Sequence, residues 1–293
     1  MKIIDMHTHA QDILFPADAA PRIRPSRGVL IRLFEWQRFN WYSPDWVTHS
    51  LRKTIAKESQ ARNAMASVED LMSGMERTGI THSAVLPVEP YGNTAVVIDA
   101  AKKDKRIIPF ASVDPNDAHR VEKLRNYVAG GCRGLKLHPI IQDFHPSGPE
   151  CMETVEEFSK YGLPVFFHCG QSSYYVPESE SESYGKPENY VKTFAAFPHT
   201  KFVVGHMGLL EAREAIEIAQ VFSNVYLETS FQPMHMVRRA VEKVGADRVM
   251  FGTDWPFGGQ RYELAIVLDL TDKNPWLRER LLWKNAEDLI GKV

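Results

Sequence analysis

Only three cysteines, Cys132, Cys151 and Cys169, occur in 293 residues. None lies at Cys-x-x-Cys spacing, which excludes a disulfide framework and a thiolate zinc site and leaves reduced thiols as the expectation. An excess of either charge is missing too: 35 Lys+Arg against 37 Asp+Glu leave a formal −2. The chain therefore has no electrostatic footprint for nucleic acid or anionic lipid. No run approaches the roughly 18 uninterrupted apolar residues of a membrane span, and Asp5, His7 and His9 interrupt any signal-like stretch at the N-terminus. These absences predict a soluble, cytoplasmic protein that binds neither nucleic acid nor membrane. A glycine-rich phosphate loop after the first apolar run, which would mark a dinucleotide-binding sheet, is also absent.

What is present is 44% apolar residues and enough length to bury a large core. Short, β-branched apolar runs at 2–9, 83–87, 107–113, 132–138, 163–168, 201–206, 224–228 and 248–254 read as strands. Between them, apolar residues recur at three- and four-residue intervals over 68–77, 93–103, 117–129, 149–161, 187–196, 209–222, 233–244 and 262–271, as in amphipathic helices. Eight such units predict an α/β fold, a (β/α)8 TIM barrel filling one domain over 1–293. An open doubly wound sheet is the alternative. A further C-terminal helix over 275–290 is expected on the outside of the barrel.

Two stretches break the rhythm. Residues 11–60 follow the first strand and carry Trp36, Trp41 and Trp46 with Arg22, Arg24, Arg27, Arg32 and Arg38; residues 171–186 follow the fifth strand and carry an acidic run. In a barrel both rise from the C-terminal face, where loops build active sites. The first offers a lid, a homodimer contact or plain packing over the mouth; the second reads as a solvated tip.

The first strand reads IIDMHTHA, so strict alternation would put Asp5, His7 and His9 on one face. His168 ends the fifth strand, His206 the sixth and Asp254 the eighth, while Lys136 and His138 share a face of the fourth. In a barrel these strand ends converge on one rim, and imidazole with carboxylate suits zinc and other borderline divalent ions.

The segments IDMHTHA, GLKLHP, FFHCG, VGHMG, FGTDWPF and KNAEDLIG, in that order across nearly the whole chain, resemble the amidohydrolase superfamily. The likeness is to its amidohydrolase-related branch, family 2, which includes aminocarboxymuconate semialdehyde decarboxylase, resorcylate-type decarboxylases, hydrolases and hydratases. The resemblance implies a metal-dependent barrel in which His7, His9 and His168 are nitrogen ligands. Asp254 is the carboxylate ligand or the base that also activates bound water, and His206 is an acid/base group. One divalent ion, expected to be zinc, is favoured; a second ion bridged by a carbamylated Lys136 and bound by His206 is the alternative. Lys136, His138 and Trp255 are then expected to meet the substrate.

A metal held this way lowers the pKa of bound water toward about 7, and a histidine of ordinary pKa near 6.5 can move the proton. The expected reaction is hydrolysis of a small carboxylated ester, lactone or amide, with non-oxidative decarboxylation of an aromatic or enoic acid as the alternative. Cys169 is expected to be a packed thiol, and Asp114 either a turn residue beside Pro115 or a group near the site.

Overall fold

The computed structural model describes residues 1–15, 58–171 and 180–293. The tryptophans and arginines of the first insertion and residues 172–179 of the second lie outside the described residues, and with them the lid and dimer expectations.

Eight parallel strand positions follow one another around a closed sheet. They are β1 (Ile4–Thr8), β2 (His82–Val85), β3 (Ile107–Pro109, resuming as Ala111–Ser112), β4 (Leu135–Leu137), β5 (Val165–Phe167), β6 (Phe202–Val204), β7 (Val225–Glu228) and β8 (Val249–Met250). Each pairs with the next, for example Ser83 with Ile107, Leu135 with Val165 and Leu227 with Val249. Closure comes from β8 returning to β1. Met6 N–H donates to the Phe251 carbonyl at 3.0 Å and His9 N–H to the Trp255 carbonyl at 2.7 Å, with a bridge from Thr8 to Trp255. This is the predicted (β/α)8 barrel.

β3 breaks at Phe110, where 107–113 reads as one run. Pro109 has no N–H to give, and Phe110 N–H still points to Val85 of β2 while Ala111 N–H turns to Gly134 beside β4. A Cβ at residue 134 would overlap the Phe110 ring, so the glycine makes room for the ring at the crossover.

The helices follow as α1 (Val68–Thr78), α2 (Thr94–Lys103), α3 (Arg120–Ala129), α4 (Pro149–Ser159), α5 (Val191–Ala196), α6 (Ala212–Val221), α7 (Met234–Val244) and α8 (Gln260–Leu270). Local signals set their ends. Ser67 caps α1 by accepting from Asp70 N–H, and Gly79 ends it in the left-handed region. The stretch read as one helix over 187–196 is a 3-10 turn, Pro187–Tyr190, running into α5.

Side chains divide between two layers. Leu135, Leu137, Val165, Phe167, Phe202, Val204 and Leu227 face the helices and pack with Leu71, Val97, Leu124, Val155 and Ile216. Ile4, Met6, Ala84, Leu86, Phe166, Val203 and Met250 form the second cluster, inside the barrel. Ala286, Leu289 and Ile290 belong to that inner cluster. The C-terminal segment therefore plugs one end of the barrel and does not lie on its outside, because its apolar face finds the open floor. It is also not one helix: α9 (Pro275–Glu279) passes through a π-turn, Arg280–Lys284, into α10 (Asn285–Ile290).

Strict alternation fails on β1. Its register with β2 shifts between Asp5 and Thr8, the mark of an extra residue in the strand. Ile4 and Met6 join the inner cluster with Phe166, and the His7 ring also lies 4.6 Å from the Phe166 ring. Asp5 instead accepts from Thr253 N–H at 3.0 Å and Thr253 Oγ1 at 2.6 Å. Asp5 thus does not share the face of His7; it ties β1 to the segment that presents Asp254.

Candidate metal centre

Seven side chains from six strand ends meet above the inner cluster. His7 comes from β1 and His9 from just beyond it; Lys136 comes from β4, His168 from the end of β5, His206 from the end of β6, Glu228 from β7 and Asp254 from beyond β8, all buried. Among the described residues, His7, His206 and Asp254 each offer a donor atom within 4.8 Å of the others, a group able to hold a metal ion.

Hydrogen-bond partners identify the free nitrogens, since a carbonyl or carboxylate can only accept. His9 Nδ1 donates to the Leu86 carbonyl at 2.6 Å, leaving Nε2 to face Asp254 Oδ1 at 3.0 Å. His7 Nδ1 donates to Glu228 Oε2 at 2.8 Å, leaving Nε2 at 3.2 Å from the same Asp254 oxygen. Two bare imidazole nitrogens and a carboxylate oxygen therefore point at one another. Lone pairs so arranged repel unless a cation or proton lies among them, so the donor set fits a divalent ion. Lys136 Nζ, 3.2 Å from His7 Nε2 and 4.7 Å above the Phe166 ring, is the only lysine ammonium among the described groups gathered here.

The other predicted residues sit around this core. The His168 ring is 5.0 Å from that of His206; its Nε2 donates to the Gly170 carbonyl at 3.2 Å, so Nδ1 is its free nitrogen. His138 stacks on His168 with ring centroids 3.9 Å apart, and its Nδ1 accepts from Ile141 N–H at 3.2 Å. Trp255 packs against the helix-facing cluster, and its backbone carbonyl receives His9 N–H. Asp114 accepts from Asn116 N–H at 2.9 Å in a local turn. Cys169 is buried, and that burial pushes its thiol up, so it packs and does not attack.

Burial dominates the electrostatics. It lowers His7, His138 and His206 well below the ordinary histidine value, with Lys136 and the other imidazoles adding to the effect. His168 falls to about 3 for the same reasons. The rings are thus neutral and able to ligate at physiological pH. Burial brings Lys136 down to about 8 and raises Glu228 to about 7; it also raises Asp254, against the pull of His9. One wall beside the imidazoles is apolar: Ile13, Leu14 and Val88 cluster with Phe15, Ile141 and Phe257, and the Phe257 ring lies 5.8 Å from that of His9.

Glu228, Ser230 and Gln232 carry no chemistry in the sequence reading, although all three touch the histidines. Glu228 does end the seventh predicted strand, and an acid at the C-terminal end of a barrel strand is the available signal.

A family model described as Amidohydrolase matches residues 4–292. No curated protein matches the chain. Among solved structures it is similar to an uncharacterised TIM-barrel protein from Bordetella bronchiseptica, at 21% identity and TM-score 0.69, covering 99% of this chain and 98% of that one. A second is 5-carboxyvanillate decarboxylase from Novosphingobium aromaticivorans, complexed with manganese and 4-hydroxy-3-methoxy-5-nitrobenzoic acid. It is 15% identical with TM-score 0.70, over 99% of this chain and 96% of that one. A third is a probable 2-pyrone-4,6-dicarboxylic acid hydrolase from Acinetobacter baumannii with citric acid bound, at 15% identity and TM-score 0.62 over 100% of both chains. At these identities the likeness is one of fold.

Proposed function

The chain belongs to the amidohydrolase family, and from that premise we propose that it is a metal-dependent enzyme that removes carbon dioxide from a small aromatic or enoic carboxylic acid. The observation that carries the reading is His206. It is the one imidazole of the cluster backed by a hydroxyl and a carboxylate, through Ser230 and Glu228, and the Phe231 ring lies 5.4 Å from it. A histidine so backed can hold and deliver a proton, and aromatic walls at Phe231 and Phe257 suit a flat substrate.

His7, His9 and Asp254 would hold one divalent ion, joined by His168 through its free Nδ1 as the family resemblance assigns. When bound, the ion supplies a positive charge that orients a carboxylate-bearing substrate. The chain's own residues do the rest. His206 takes up a proton from solvent at its free Nε2 once the negatively charged substrate lies beside it and delivers that proton to the carbon that carries the carboxylate; the carbon–carbon bond then breaks, and its electron pair returns to the substrate skeleton as carbon dioxide leaves. Lys136, below the imidazoles, offsets the charge of Asp254 and Glu228. This order reverses the one the sequence suggests, because Asp254 Oδ1 already faces two imidazole nitrogens and is poorly placed as a free base for water.

The convergence of His7, His206 and Asp254 within 4.8 Å supports a second reading, with His206 as a ligand. The two separate in His206→Ala. If His206 carries the proton, the variant keeps its metal by elemental analysis and loses at least about 100-fold in turnover; loss of the metal makes it a ligand. Manganese- and zinc-loaded protein should release carbon dioxide from a panel of hydroxybenzoic and enoic acids. Cleavage of lactones or esters with no release from any acid would return the assignment to a hydrolase.

A further inference from the structure

His206 stands on an unusual piece of backbone. His206, Met207, Gly208 and Leu209 have φ of 56°, 46°, 81° and 52°, four consecutive residues in the left-handed region, three of them not glycine. Each such non-glycine residue costs about 1–2 kcal/mol, so the turn persists only if neighbours over-determine it. The neighbours that do so come from one short segment at and just after the end of β7, residues 228–232.

Two contacts from that segment hold the backbone. Gln232 is buried, and its side-chain amide donates to the His206 carbonyl at 2.6 Å and the Leu209 carbonyl at 3.0 Å, spanning the left-handed run. Glu228 Oε2 accepts His206 N–H at 3.1 Å. The ring is held separately. Ser230 Oγ donates to Glu228 Oε2 at 2.8 Å, so its oxygen is free to accept from His206 Nδ1 at 2.7 Å. That direction leaves Nδ1 protonated and Nε2 free to face the cluster. The Glu228 carboxylate is fixed in turn by Ser230 N–H and by the absence of a side chain just beyond β8: a Cβ at Gly252 would overlap it.

We propose that Glu228, Ser230 and Gln232 are the positioning residues of the site, which together fix the backbone, the ring orientation and the tautomer of His206. Glu228 extends the same control to His7 through Nδ1, so one carboxylate oxygen orients an imidazole from each of two strands. This inference rests on the reading of His206 as a working group of the centre.

The test uses full-length protein with 15N-labelled histidine, and long-range proton–nitrogen spectra that report which ring nitrogen carries the proton. The His206 signal is identified by its loss in His206→Ala. Ser230→Ala should shift His206 away from the pure Nδ1–H form, and Ser230→Thr, which keeps the hydroxyl, should restore it. Gln232→Ala should broaden or move the same signal without changing the other histidines. Glu228→Gln should weaken zinc binding, read by calorimetry, by roughly 10–100-fold, as removal of a ligand-orienting partner does. An unchanged His206 signature in both Ser230→Ala and Gln232→Ala would overturn the proposal. Full turnover in His206→Ala would instead sink the functional reading, while the spectra would still decide the positioning.

Discussion

Asp254→Asn should make the metal-free protein more stable while abolishing metal binding. In the wild type, Asp254 Oδ1 lies 3.0 Å from His9 Nε2 and 3.2 Å from His7 Nε2, and both rings have their protons committed to other partners. Lys136 Nζ, 3.2 Å away, donates to His7 Nε2, but without a cation between them His9 Nε2 and Asp254 Oδ1 oppose lone pair to lone pair. An asparagine amide turned with Nδ2 into the Oδ1 position gives His9 Nε2 the hydrogen it lacks. At about 0.5–1.5 kcal/mol for that hydrogen bond, the gain is about 1–2 °C in Tm for a chain of this size. The comparison belongs above the pH at which Asp254, raised by burial, loses its proton. With metal at a thousandfold excess over Kd the order inverts, since the wild type then gains about 4 kcal/mol and the variant gains none. Thermal melts monitored by circular dichroism, with and without chelator, read both effects. A metal-free variant that melts below metal-free wild type, or one that retains the ion, would refute the reasoning.

Three other outcomes follow from the same geometry. Metal-free protein should lose stability as pH falls below about 6.5, because burial holds His7, His138, His168 and His206 neutral while the unfolded chain takes up those protons. Each imidazole contributes up to about 1.4 kcal/mol per pH unit, and equal urea midpoints at pH values above and below that range would contradict the assignment. Gly170→Ala should cost about 2–4 kcal/mol in urea unfolding, since its φ is +104° and the new Cβ would lie 2.6 Å from Leu209 Cβ; an unchanged midpoint would show that the loops after β5 and β6 can part. Asn285→Ala removes two 2.6 Å bonds from Asn285 Nδ2 to the Ala246 and Val249 carbonyls, and should lower stability by about 1–3 kcal/mol with metal content unchanged.

The barrel was legible because its signals are local. Runs such as LPVFFH and KFVVGH announce buried strands, and histidines at their ends face one rim by topology alone. Where pattern reading failed, the determinant was long-range or displaced by one residue. On β1 a single extra residue moves His7 to the face of Met6 and turns Asp5 away, and nothing in IIDMHTHA distinguishes that from clean alternation. After β6 the apolar spacing runs on from the strand, so the helix read from residue 209 starts in fact at Ala212, behind a left-handed turn. The π-turn at Arg280–Lys284 is one residue of slip inside an otherwise helical pattern. Glu228, Ser230 and Gln232 escaped notice because their importance lies in the histidines they touch, which are distant in sequence.

The closing seam of the barrel also has a consequence for assembly. Asp5 and Thr253, bonded across it, are 248 residues apart in the chain, and the groups that converge on Asp254 come from the same first strand. On the ribosome the first donors emerge long before the last, and no local contact can bring them together earlier. Joining such distant segments is among the slowest steps open to a chain, because the entropy of closing so large a loop is paid before any contact repays it. The centre cannot be complete before β8 has been made, and an ion held there would clasp two segments about 250 residues apart.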